Sequence, residues 1–298
     1  MRVASNTVSE AMLRQIQQLT VDQAKLQTQV ATGRRVLNPE DDAAAMGRVL
    51  NLQSEQRQLA QYVNNANRAM AISQASYSGL QSLKKVSDRA GELATLGASA
   101  IGPDAMKGYA AEVDQLIEQA LELANGKLGN DYLFGGTETA TAPFSVTRDA
   151  DGAITGVTYD GNNDRASIPL SETSSVSPRT SGATNAGIAD FITNLVALRD
   201  ALKSGDTGAV AAAQSPLVAS EDVIIEAMAD TGGVQSRIEA AQAQQATRAT
   251  NLESLISGEA DIDLPSTVVK LSQASTAYQA ALASAAKVMN LSLLDYIS

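Results

Sequence analysis

The chain has 298 residues, a net charge of −11 and neither cysteine nor histidine, which removes disulfides, thiolate nucleophiles, soft metal sites and every catalytic triad built on Cys or His. Its 22 basic residues are scattered among 33 acidic ones, the densest pairs being Arg34-Arg35 and Lys84-Lys85, so nucleic acid is not an expected partner. Three Phe, seven Tyr and no Trp cannot fill a thick core, and the abundance of Ala, Gln, Ser and Leu predicts thin layers of closely packed helices, a rod rather than a sandwich or barrel.

The opening MRVASNTVSEAML lacks an apolar run of about 7 to 15 residues, so a cleaved secretory leader is not expected. Nowhere do about 18 apolar residues follow one another, so membrane insertion is not expected either. The first helix is predicted from about Ser5 to Thr32 and ends at Gly33, a residue favoured just past a helix terminus. Met12, Ile16, Leu19, Leu26 and Val30 form a seam along it, interrupted by Gln23. Asn38-Pro39-Glu40-Asp41-Asp42 then reads as a helix start: Asn38 caps, Pro39 occupies the first turn, and the carboxylates, Asp41 and Asp42 included, face the positive end of the dipole.

The helix that follows carries a seam from Val49 through Leu52, Gln56, Leu59, Val63, Ala66, Met70, Ser73 and Tyr77 to Leu80. A three-residue phase shift continues it to Leu83, Val86, Ala90 and Leu93. Gly102-Pro103 ends it. A third helix shows Met106, Tyr109, Val113, Leu116, Ala120 and Leu123 at alternating steps of three and four. From Asn130 to about Ala186 Thr, Ser, Gly, Asn and Asp take over, and the alternations around Phe144-Val146 and Ile154-Tyr159 predict strands joined by a hairpin at Asp149-Gly152. Helical spacing returns with Ile188, Phe191, Ile192, Leu195, Leu198 and Leu202, pauses at Ser204-Gly205-Asp206, and resumes through Val223 to Ile256.

After a break at Leu264-Pro265, the stretch Ser266 to Ser298 reads as one helix whose only charges are Lys270, Lys287 and Asp295. Its seam runs Val268, Leu271, Ser275, Tyr278, Leu282, Ala285, Met289, and its tip, with Leu291, Leu293, Leu294, Tyr296 and Ile297, is apolar on several sides. A helix apolar nearly all round is normally buried. The expected partners are the N-terminal helix and neighbouring copies of the chain. Met12, Ile16, Leu19, Leu26, Val30, Leu271, Tyr278, Leu282, Met289, Leu291, Leu294 and Ile297 are therefore the candidate subunit contacts, while the seams of the second and third helices are expected to be internal core. Isolated helices depend on packing an apolar face, so the terminal pair is expected to order on assembly.

Chemistry has little to build on. Asp41-Asp42 is explained by capping, since adjacent helical side chains point about 100° apart. Asp149-x-Asp151-Gly152 and Asp160-Gly161-Asn162-Asn163-Asp164 lack the spacing and closing Glu of a calcium loop and read as turns. No catalytic residue, metal ligand, cofactor or small-molecule substrate is expected.

The order of elements resembles bacterial flagellins and flagellar hook-associated proteins. Gly33-Arg34-Arg35-Val36-Leu37-Asn38-Pro39-Glu40-Asp41-Asp42-Ala43-Ala44 looks like the family's N-terminal signature. Val234-Gln235-Ser236-Arg237-Ile238-Glu239 looks like its C-terminal helix motif, and Asn290-Leu291-Ser292-Leu293-Leu294 like its ending. Asn130 to Thr137, Pro143-Phe144 and Val157 to Asn162 resemble the outer domain of members that join hook to filament; flagellin itself is the alternative within the family.

The resemblance implies a mainly α fold: a long antiparallel helical rod with a small β-rich outer domain inserted in the middle. Its expected parts are an axial domain (1–37 and 259–298), a rod domain (38–128 and 187–258) and an outer domain (129–186). It also implies an extracellular structural protein of the flagellum, passed unfolded through the type III export channel with an uncleaved N-terminal signal. The implied partners are copies of itself, neighbouring hook-associated and flagellin subunits, and an export chaperone. A soluble coiled-coil adaptor is the rival outside the family, but it would need neither the apolar final octet nor the Asn130–Leu170 insertion.

Overall fold

The computed structural model describes residues 2–100 and 102–297, with side chains over 10–100 and 102–287. Among the described residues there are six helices: α1 (Arg2–Thr32), α2 (Ala43–Ala98), α3 (Pro103–Ala124), α4 (Gly182–Ser204), α5 (Thr207–Ala260) and α6 (Leu264–Ile297). Between α3 and α4 lie three separate antiparallel hairpins rather than one sheet. They are β1 (Lys127–Leu128) with β2 (Asp131–Tyr132), β3 (Phe144–Arg148) with β4 (Ile154–Tyr159), and β5 (Ile168–Pro169) with β6 (Ser175–Val176). The chain divides into two compact units: a terminal unit, from the N-terminus to Gln58 together with Arg248 onward, and a middle unit from Leu59 to Thr247.

In the middle unit the core is thin, as the scarcity of aromatics requires. Leu80, Leu83, Val86, Ala90 and Leu93 of α2 share one buried cluster with Ile188, Phe191, Ile192, Leu195, Leu198 and Leu202 of α4, all buried at the predicted positions. On α3 the buried line is Met106, Ala110, Val113, Ile117, Ala120, Ala124. Tyr109, Leu116 and Leu123, expected at the centre, pack at its edge. The alanines let the backbones approach closely, and the larger side chains seal the rim. Close approach recurs at Gly97 of α2, where an added Cβ would stand 2.4 Å from the Leu202 side chain, and at Gly187 of α4, where it would stand 2.7 Å from Val223. Polar contacts lace α2 to α5: Lys84 pairs with Glu221 at 2.9 Å, and Gln242 Nε2 donates to Asn67 Oδ1 at 2.9 Å.

The hairpins do not build a core of their own. Leu133, Phe134, Phe144 and Ile154 join the helical core, while Leu170 and Val176 close a smaller cluster with Ala66, Ala69 and Ile238. Asn125, just past α3, fixes the entry to β3 in both directions: its Nδ2 donates to the Phe144 carbonyl at 3.0 Å and its Oδ1 accepts the Phe144 N–H at 3.1 Å. Arg199 of α4 is 3% exposed; its guanidinium reaches Asp114 at 3.0 Å, Asp200 at 2.8 Å and the Ile154 carbonyl at 2.7 Å, so one buried charge ties α3, α4 and β4. The first acidic turn closes on itself, and the second is tied to the segment around Thr137. Asp149 Oδ1 accepts from the Asp151 and Ala153 N–H groups at 3.0 and 2.9 Å, and Asn162 Oδ1 from those of Thr137 and Asp164 at 3.0 and 3.2 Å.

Candidate functional site

The candidate contact residues lie in the terminal unit, and their placement starts at a joint where four helix ends meet. α1 stops at Gly33, whose φ of +71° is a left-handed conformation that suits glycine and whose N–H bonds the Gln29 carbonyl at 2.8 Å. The chain then pairs briefly with the α5–α6 connection: Arg35 N–H donates to the Ala260 carbonyl at 2.6 Å, and Ile262 N–H donates to the Gly33 carbonyl at 3.0 Å. Side chains fasten the same place. Arg35 reaches the Glu259 carbonyl at 2.8 Å and Asp42 at 3.2 Å, and Arg48 grips the Glu259 carboxylate with two bonds of 2.9 and 2.8 Å.

The helix start differs from the expectation. Asn38 does not cap α2 and Pro39 is not in its first turn. Asn38 opens a turn closed by the Asp41 N–H at 3.0 Å, and the cap is Asp42, whose Oδ1 accepts the Ala45 N–H at 2.9 Å. Asp41 is turned back instead: it accepts the Leu37 and Asn38 N–H groups at 3.1 Å each and pairs with Lys25 of α1 at 2.7 Å.

Those contacts make the joint sensitive to acid. The Lys25 hydrogen bond, then the Asn38 and Leu37 N–H groups, hold the Asp41 carboxyl down at about 2. The Ala45 N–H and Arg35 lower Asp42, and Arg48 lowers Glu259. A carboxyl depressed in the fold stabilises it above its ordinary value and ceases to do so as pH falls through the folded one. The joint is therefore expected to be intact above about pH 4 and to loosen between about 4 and 2. Amide exchange at Arg35 and Ile262 measures this, and Asp41→Asn should flatten much of the response.

From the joint α1 and α6 run antiparallel and pack along each other. Met12, Ile16, Leu19, Leu26 and Val30 are all half-buried, and so is Gln23, so the interrupted seam is one continuous face. On α6 the inner line is Thr267, Leu271, Ala274, Tyr278, Ala281 and Ala285. Leu271 and Tyr278 lie inside as expected, but alanines take the places beside them, leaving Val268 46% and Leu282 43% exposed. Leu13 (57% exposed), Val21 (61%) and the exposed Val269 extend the outward apolar surface. These three were not foreseen, since a seam search keeps one stripe and discards its neighbours. Met289, Leu291, Leu294 and Ile297 lie outside the residues whose side chains are described.

The surface offers burial of apolar area rather than chemistry. Among the described residues no three His, Cys, Asp or Glu side chains converge as metal ligands would, and no helix is long and apolar enough to cross a membrane.

Comparison with known proteins follows the same outline. Residues 3–139 match the family model of the bacterial flagellin N-terminal helical region, which includes the Gly33–Ala44 word. Flagellar hook-associated protein 3 of Escherichia coli K12 is 30% identical over 147 residues, 49% of this chain and 46% of that protein. The chain spans about half the length of the curated relatives it matches. A flagellar hook-associated protein of Vibrio parahaemolyticus superposes with a TM-score of 0.66 at 17% identity, covering 74% of this chain and 100% of that one. FlgL of Bacillus cereus superposes with a TM-score of 0.60 at 19% identity, covering 70% of this chain and 99% of that one. The chain is thus similar in sequence to the flagellin N-terminal region over residues 3–139, and its likeness to the solved hook-associated proteins is one of fold.

Proposed function

We propose that this chain, related in its N-terminal part to flagellin and similar in fold to hook-associated proteins, is a structural subunit of the bacterial flagellum that joins hook to filament. The observation that carries this is the terminal pair: two long helices share one half-buried seam while Leu13, Val21, Val268, Val269 and Leu282, outside it, stay exposed. Burying one large apolar side chain is worth about 1.5 to 3 kcal/mol, so neighbours that cover Leu13, Val21, Val268 and Leu282 would gain enough to drive polymerisation. The names of the relatives support the junction over the filament itself.

Roles then divide along the chain. Residues 1–37 and 259–298 would form the axial contacts, 38–128 and 187–258 the helices that stack laterally, and 129–186 the part facing solvent. The partners are further copies of this chain, the adjoining hook-associated and flagellin subunits, and a chaperone during export through the flagellar channel. No catalytic step belongs to this role.

A strain deleted for the gene tests it. The expected outcome is intact hooks, flagellin released unassembled into the medium, and, in the complemented strain, an antibody band at the hook–filament boundary in electron micrographs. Full filaments on the deletion strain would refute the junction role; loss of the major secreted subunit would instead make the chain flagellin.

A further inference from the structure

The sequence contains a single Asn-Gly pair, Asn125-Gly126, and it lies where α3 gives way to β1. Asn-Gly is the dipeptide most prone to spontaneous deamidation, because glycine has no side chain to hinder attack of its backbone nitrogen on the asparagine amide. The fold nevertheless needs both residues. Asn125 supplies a donor and an acceptor together: Nδ2 donates to the Phe144 carbonyl at 3.0 Å and Oδ1 accepts the Phe144 N–H at 3.1 Å, a clasp that a carboxylate cannot make. Gly126 is hemmed in, since an added Cβ would stand 2.9 Å from the Leu123 carbonyl oxygen. The same contacts hold the pair out of reaction. Gly126 N–H donates to the Leu123 carbonyl at 3.1 Å, and the Gly126 carbonyl accepts the Leu133 N–H at 2.9 Å. The Asn125 ψ of 23° also turns the Gly126 nitrogen away from the side-chain carbon it would have to attack.

We propose that Asn125 is a modification site gated by folding: it deamidates in the unfolded chain, is protected in the folded one, and once converted no longer closes the clasp on Phe144. In the unfolded chain the Gly126 nitrogen, its proton lost to solvent, attacks Asn125 Cγ. The bond from Cγ to Nδ2 breaks, and Nδ2 takes up a proton and leaves as ammonia. Water then adds to either carbonyl carbon of the resulting succinimide ring and opens it to aspartate or isoaspartate. One water is consumed, one ammonia is released, and nothing is oxidised or reduced. An aspartate at this position still accepts the Phe144 N–H but has no hydrogen for the Phe144 carbonyl, which its second oxygen would face in a half-buried place. Isoaspartate in addition lengthens the main chain between α3 and β1. Either product loosens the entry to β3 beside Phe144, whose side chain is in the core and whose ring centroid lies 5.4 Å from that of Tyr159. Time spent unfolded thus leaves a lasting, destabilising mark. This property belongs to the middle unit and does not depend on the flagellar role.

The full chain, held at mildly alkaline pH both native and unfolded in urea, tests this by peptide mapping with mass spectrometry and isoaspartate detection at every asparagine. In urea Asn125 should react first, at least about thirtyfold faster than in the native chain, where reaction must wait for local opening. Gly126→Ala should slow the reaction in urea, because the attacking nitrogen then has a hindering methyl beside it. The product's effect is read separately. After refolding, the acidic fraction separated by anion exchange should melt about 4 to 10 °C below the unmodified chain, and Asn125→Asp should reproduce that loss. Equal rates in the two states overturn the proposal, as does another asparagine reacting first in urea. So does an acidic fraction that carries the change at 125 and melts with the parent.

Discussion

Leu13→Glu with Val21→Glu on α1, or Val268→Glu with Leu282→Glu on α6, should yield a chain that folds like its parent and no longer assembles. All four positions are outside the α1–α6 seam in the free chain. Glu is at least as good a helix former as Val, so helicity should hold or rise slightly. In the polymer the same side chains would be covered. Losing two apolar burials removes about 3 to 6 kcal/mol per subunit, before any cost of burying carboxylates, which weakens association by roughly 10² to 10⁴. Circular dichroism of the purified chain reads the first half of this expectation, and complementation of a deletion strain reads the second. Restored swimming with either pair would remove the outward face from the assembly surface.

Phe134→Ala should be the most damaging single truncation in the middle unit. Phe134 is fully buried and lies over Gly79 of α2, where an added Cβ would meet its ring at 3.1 and 3.2 Å. Glycine is there because the ring occupies the space a side chain would take. Removing the ring leaves a void walled by α2, which a helix backbone cannot collapse to fill. The expected loss is about 3 to 5 kcal/mol, or roughly 6 to 20 °C in midpoint for a unit of this size. Thermal unfolding followed by circular dichroism measures it. A shift under about 2 °C would mean that the loop from Leu133 to Thr137 relaxes freely, contrary to its buried packing.

The helices were legible in the residues because their signal is periodic and local. α4 placed every predicted seam residue in the core, and α1 ended at Gly33 as its neighbours dictate. Errors arose where a choice between adjacent residues depends on distant chain. Tyr109 and Ala110, Leu116 and Ile117, or Leu123 and Ala124 serve equally well in a periodic pattern; the approach of a neighbouring helix picks the small partner in two of the three. Asn38 and Asp42 are both competent caps, and Asp41's engagement with Lys25, Leu37 and Asn38 decides in favour of Asp42. The joint was invisible for a similar reason. Arg35 and Arg48 find Glu259 more than 200 positions away, and nothing local marks any of the three as members of one cluster. Arg199 gave no warning either: an arginine on an apolar helix reads as a surface residue until Asp114 and the Ile154 carbonyl surround it.

The β3–β4 hairpin is anchored at both ends, by Phe144 at its base and, beside its turn, by Ile154 and the two bonds of Arg148 to Glu118 of α3. Phe144 and Ile154 are sunk in the helical core, whereas the turn from Asp149 to Gly152 is fully exposed and closes on its own hydrogen bonds. Sequence between Ala150 and Asp151 can therefore lengthen or change at little cost to the body beneath it, since loop closure grows only slowly with length. That turn is where surface identity can drift, and it is also the natural place to graft a foreign peptide for display.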